Sequence, residues 1–175
     1  MKKLMMSTAV ITVIVTILMA VLFVNFETDV LFSLAITFGT IAYHFVMRIL
    51  VGGIVNTIMC NKADYSKKWY RLRPFEEKLY KKLKVKNWKK KMPTYDPDIF
   101  DIKKHSFEEI AQAMCQAEVV HEFIAVFSFL PLFTVPVFGS FWVFLITSVL
   151  SACLDLSFVM MQRYNRPRII KLIKK

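Results

Sequence analysis

Glu118, His121 and Glu122 stand at helical spacing just before a long apolar run, and together they hold the parts of a general base. A histidine held by a carboxylate one helical turn away takes a proton from a hydroxyl near neutral pH. Glu118 precedes His121 by three residues and has that spacing; Glu122 is the other candidate orienter. The same face runs back through Cys115, Gln112 and Glu108, so these residues form one polar stripe. Cations that would face it are His44 and Arg48 in an earlier apolar run, and Arg163, Arg166 and Arg168 in "QRYNRPR" at 162–168. That string also carries Gln162, Tyr164, Asn165 and a φ-fixing proline. Such a set suits one defined geometry better than it suits simple charge.

Two other uses of the stripe compete with catalysis. One is a buried ion-pair network that fixes helix packing. The other is a metal, because Glu-x-x-His recurs in di-iron bundles, which need two such motifs and two further carboxylates. This chain has one, and His44 has no Glu three residues before it, so no metal is expected.

The elements that position these residues are apolar. Hydrophobic residues make up 56% of the 175, with 16 Phe and 10 Met, and mean hydropathy is +0.47. Those are values of a membrane protein. Net charge is still +11, so polar residues must be concentrated between apolar runs. Residues 4–26 carry no charge, exceed a signal peptide's apolar region and have no small-residue cleavage site after them, so they read as a retained span. A second run covers 30–59. Residues 123–154 are 32 without a charge, too long for one ordinary span of about 20. Pro131, Pro136 and Gly139 place a helical hairpin there, turning near 135–140. The expected fold is all-α, a polytopic membrane protein forming one domain over 1–175, with spans near 4–26, 30–59, 118–135 and 140–162. Cys60, Cys115 and Cys153 are scattered, which argues against a disulfide framework or a thiolate zinc site.

The loop between the first two spans has Glu27 and Asp29 and no Lys or Arg. Residues 61–117 hold 15 Lys+Arg against 8 Asp+Glu, and the tail from Arg163 has six basic residues and no acid. The positive-inside rule therefore puts region 61–117 and both termini on the cytoplasmic side. Within that region Trp69, Leu72, Phe75, Leu79 and Leu83 recur at spacings of three and four, predicting an amphipathic helix in the headgroup layer with Pro74 in its first turn. "PTYDPDIFD" at 93–101 breaks it, and "SFEE" at 106–109 is a capping box opening the helix that carries the stripe. Lysines interleaved with aromatics also suit nucleic acid, but no nucleic-acid-binding motif accompanies them, so that partner is not expected.

Enzymatic signatures of other kinds are missing. There is no GxSxG elbow, Walker loop, HExxH or dinucleotide loop, and the His-x-x-x-x-Asp of one large glycerolipid acyltransferase group is absent. Three segments do match a known pattern: "EKLYKKLKVKNWKKKMPT" at 77–94, Glu118-x-x-His121, and "QRYNRPRI" at 162–169. In this order they resemble the glycosyl-4,4'-diaponeurosporenoate acyltransferase family, small bacterial membrane proteins of staphyloxanthin-type carotenoid biosynthesis. Where that pattern commonly has a glycine before Val85, this chain has Lys84, and Glu122 replaces an aromatic after the histidine.

The resemblance implies transfer of a fatty acyl group to a sugar hydroxyl of a membrane glycolipid, in the bacterial cell membrane. It implies no cofactor, with an acyl donor such as acyl-CoA or acyl carrier protein as substrate and membrane lipids and a lipid-linked acceptor as partners. His121 would deprotonate the hydroxyl, with Glu118 or Glu122 orienting it. Arg163, Arg166 and Arg168 would hold donor phosphates and Asn165 or Tyr164 the developing oxyanion. Gln162, Trp88, Arg48 and His44 join the substrate-contacting set. The alternative is a non-catalytic lipid- or partner-binding membrane protein whose polar stripe is structural.

Overall fold

The structure, a computed structural model, describes the chain apart from residues 1, 91, 93, 94 and 175 and the side chains of residues 89 and 90. Lys91, Pro93 and Thr94, which belong to the 77–94 string and to the expected break after it, lie outside the described residues, as does Lys175 of the basic tail. Among the described residues all regular structure is helical. It comprises α1 (Lys2–Phe26), α2 (Asp29–Met59), α3 (Pro74–Lys82), α4 (Phe107–Phe127), α5 (Val135–Phe138) and α6 (Phe141–Ile173). Four stretches are long and apolar enough to cross a membrane: α1, α2, Phe107–Phe138 and α6. The protein is an all-α membrane protein.

Local chemistry accounts for the helix ends. Ser106 and Glu109 form the expected capping box, Ser106 N donating to Glu109 Oε2 at 2.8 Å and Glu109 N to Ser106 Oγ at 3.2 Å. Pro74 occupies the first turn of α3, where its missing N–H is harmless. Gly139 (φ 65°) and Ser140 (φ 52°) reverse the chain before α6, after a 3₁₀ turn at Leu130–Thr134 and the short α5.

Two expectations need correction. The amphipathic stretch is helical from Pro74, as expected, over α3, but the residues on either side form 3₁₀ turns (Lys68–Tyr70 and Val85–Lys90) and do not extend that helix. The break after α3 is at Lys84, whose φ of 54° lies in the left-handed region. A Cβ is strained there. Lys84→Gly is expected to raise stability by about 1 kcal/mol, read as a higher unfolding temperature in detergent; a lower one would remove the strain argument. The other correction concerns Pro167, expected to end the last helix near Arg166. α6 instead continues through it to Ile173. Proline's fixed φ is helical, and the turn it occupies is held by the tertiary bonds of Arg163 and Arg166 described below, which override the local preference. At 33 residues α6 is about 50 Å long, well beyond a hydrocarbon core of about 30 Å.

By its contacts the chain divides into two compact units, and α2, α4 and α6 each supply a segment to both. One comprises Lys2–Val51 and Ile124–Leu154. In it a Cβ at Gly39 would come within 3.3 Å of Thr16 Cγ2, so α1 and α2 approach at a small residue, as membrane helices do. Tyr43 Oη donates to Phe127 O at 2.8 Å, satisfying a carbonyl at the end of α4. Arg48 Nη2 donates to Ser151 Oγ at 2.8 Å, and Ser151 lies 2.7 Å from Ser128 Oγ, which donates to Ile124 O. His44 is buried in the same unit.

The other unit comprises Gly52–Phe123 and Asp155–Lys175. Gln116 fastens the end of α2 to α4: its Nε2 donates to Asn56 Oδ1 at 3.0 Å and its Oε1 accepts from Asn61 N at 2.7 Å. Tyr80, Val85 and Met161 form a small core, with Leu72, Trp88, Met92 and Tyr164 packed around it. The stripe residues Trp69, Phe75, Leu79 and Leu83 face outward instead. Exposed apolar side chains on such a segment suit contact with lipid.

Candidate active site

The polar face of α4 meets the C-terminal half of α6 entirely within this second unit. His121 Nδ1 lies 2.7 Å from Asp155 Oδ1. Asp155 is 1% exposed, so its carboxylate acts at short range in a poorly screened setting. The imidazole also stacks on Phe158, with centroids 4.5 Å apart and planes at 11°, which fixes the ring from its face. Among the described residues Nε2 has no hydrogen-bond partner, and the side chain keeps 23% of its surface. An imidazole bound at Nδ1, stacked, and open at Nε2 is arranged to exchange a proton with a hydroxyl.

Glu118 does not orient His121, as the spacing suggested. It is fully buried, and its two oxygens accept from Arg163 Nη1 at 2.6 Å and from Arg166 Nη2. The difference has a physical cause. A dehydrated carboxylate requires charge compensation, and two guanidiniums one helical turn apart on α6 supply it better than an imidazole on its own helix. Glu122 also leaves the histidine alone, its Oε2 accepting from the Trp69 indole at 3.2 Å.

Arg163 uses all five of its N–H groups. Nε and Nη2 donate to the two oxygens of Glu76 at 2.9 and 3.0 Å, and the remaining three reach Glu118, Trp69 O at 3.0 Å and Arg71 O at 3.1 Å. Arg166 donates to Tyr70 O at 2.8 Å and to Cys115 Sγ at 3.3 Å, and lies over the Tyr70 ring. Three consecutive carbonyls, 69 to 71, are therefore clasped by two arginines of α6. Burial by itself raises the Glu76 carboxyl, but hydrogen bonds from Arg163 and the Arg73 N–H outweigh it and hold it below the usual carboxylate range.

The rest of "QRYNRPR" is dispersed around the helix. Gln162 is buried. Asn165 Nδ2 donates to Met161 O of its own helix at 2.9 Å. Arg168 is exposed, 2.6 Å from the Tyr164 hydroxyl and over that ring. Trp88 packs on the Tyr80 core, and His44 and Arg48 belong to the other unit. The spacing therefore brings Glu118, Arg163 and Arg166 together, but as an internal cluster and not as a phosphate cradle.

Asp155 and Glu76 escaped the reading from sequence. A signal for Asp155 existed: it is the only acid between Glu122 and the C-terminal residue, set inside a long apolar helix, where an ionisable group marks function by default. Counting 123–154 as the apolar run placed it just past the end. Glu76 looked like one of several surface acids on a lysine-rich helix, and no pattern distinguished it. Among the described residues no three His, Cys, Asp or Glu side chains gather as a metal site requires.

A family model described as glycosyl-4,4'-diaponeurosporenoate acyltransferase matches residues 66–175, which include the loop segment, His121, Asp155 and the arginine cluster. No curated protein and no solved structure matches the chain.

Proposed function

The chain belongs to the glycosyl-4,4'-diaponeurosporenoate acyltransferase family, and on that premise we propose that it moves a fatty acyl group from a thioester donor to a sugar hydroxyl of a glycosylated carotenoid, with His121 as general base. The observation that carries this reading is the 2.7 Å contact of His121 Nδ1 with buried Asp155. Asp155 accepts from Nδ1–H and so leaves the lone pair on Nε2. Nε2 takes the proton of the acceptor hydroxyl as its oxygen attacks the donor's carbonyl carbon. The new carbon–oxygen ester bond forms and the carbon–sulfur bond breaks. The departing thiolate then receives the proton from Nε2, while Asp155 stabilises the imidazolium in between. The donor is acyl-CoA or an acyl carrier protein. With Arg163 and Arg166 engaged internally, exposed Arg168 beside Tyr164 takes the place facing its phosphates.

His121→Ala is expected to lower acylated product by at least about 100-fold while the purified protein stays monodisperse, measured by mass spectrometry of extracted lipid. Unchanged product in that variant would remove the base. A non-catalytic, lipid-binding role draws support from the arginine cluster, whose four charged residues have a structural use of their own; under it, deleting the chain changes no lipid's acylation.

The reaction is placed at the cytoplasmic face of the bacterial cell membrane, with both termini inside, on the lysine asymmetry of the loops. Thr28→Cys and Tyr95→Cys should label from opposite sides in intact cells and inverted vesicles. Labelling of both from outside is the result that overturns this topology.

A further inference from the structure

We infer that the cleft between the surface segment 69–79 and α6, of about 330 Å³, is the groove that holds the saturated chain of the acyl donor during transfer; this rests on the acyltransferase reading above. The cleft's walls are Trp69, Phe75 and Leu79 on one side and Leu156, Val159 and Met160 on the other. Val159 is buried and forms the floor, whereas Trp69, Phe75 and Leu79 are exposed along the rim. The groove is therefore open along that edge, where a lipid chain would enter.

Its position follows from the helices that build the dyad. Asp155 is followed by the lining residue Leu156, and Phe158, which stacks on His121, by Val159. His121 itself is not in the lining, but its neighbour Glu122 is. The groove and the dyad are therefore built on the same turns of α4 and α6, one residue apart along each helix.

Charge selects the occupant. The acids in the lining are already engaged, Glu76 with both of its oxygens on Arg163, and Glu122 with the Trp69 indole. The walls therefore offer apolar surface to an uncharged chain. A carotenoid polyene is a rigid rod and does not fold into a compact cleft of this size; a saturated chain bends.

The test is photolabelling of the full-length protein in nanodiscs with a diazirine-bearing palmitoyl-CoA, mapped by peptide mass spectrometry. Label is expected on the segments holding Phe75–Leu79 and Leu156–Met160, displaced by unlabelled palmitoyl-CoA. Leu79→Lys, a rim change at an exposed position, should cut it about tenfold, the equivalent of losing one leucine's contact with the chain. His121→Ala should keep it in full, so loss of turnover without loss of label separates the base from the groove. Label spread equally over the outward residues of α1, or undiminished in Leu79→Lys, overturns the groove even if acyl transfer itself is confirmed. Confined, displaceable label in a protein without transfer activity would leave the groove standing and remove the catalytic reading.

Discussion

Asp155→Asn is expected to lower the turnover of acyl transfer about 10³-fold with little change in KM. The carboxylate is 1% exposed and meets His121 Nδ1 at 2.7 Å. An amide in its place turns an N–H₂ toward Nδ1, which moves the ring proton to Nε2 and leaves no lone pair for the acceptor hydroxyl. It also removes the negative charge that stabilises the imidazolium after proton transfer. Ground-state binding of donor and acceptor does not pass through this contact, so the loss belongs in kcat. Asp155→Glu, which keeps the charge at a displaced position, should recover part of the rate, whereas a merely structural aspartate would show the same loss in both variants along with a lower unfolding temperature. Wild-type turnover in Asp155→Asn would mean that His121 works without an orienting acid.

How much of this could be read in the chain depended on whether one sequence feature had one physical cause. Long, strongly apolar runs have a single explanation at lengths near 20 residues, and the four membrane-crossing stretches were legible for that reason, even where Arg48 or Asp155 interrupts one. Ser106 and Glu109 were legible because a capping box is closed by residues three apart. Apolar periodicity in the surface segment was ambiguous. It shows that Trp69, Phe75 and Leu79 share a face, but not whether protein or lipid meets that face, and it is Tyr80, off the stripe, that is buried. The stripe on α4 was found, yet its pairing was misassigned, because i to i+3 spacing on one helix says nothing of what the next helix brings. Asp155 lies 34 positions from His121, and only the antiparallel course of α4 and α6 joins them. The carbonyls of residues 69–71 leave no trace in residue type at all.

That last contact decides what the arginines are for, and Arg163→Lys tests it with charge held constant. Lysine keeps the positive charge near Glu118 and Glu76 but has a single ammonium in place of a planar fork. It cannot hold both oxygens of Glu76, one of Glu118, and the carbonyls of Trp69 and Arg71 at once. Removing one partner from a buried pair destabilises by about 3–5 kcal/mol when a charge is left uncompensated; with the charge retained and several bonds lost, about 2–3 kcal/mol is expected. The surface segment should loosen first, since α6 holds it through those carbonyls, giving faster proteolysis between residues 60 and 76 and a lower unfolding temperature. Lys171→Ala, on the exposed end of the same helix, should change neither. A headgroup anchor requires only positive charge, so under that view Arg163→Lys is silent and Lys171→Ala is the variant that matters. The geometry favours the clasp: Arg163 is 7% exposed and its five donors all end inside the protein.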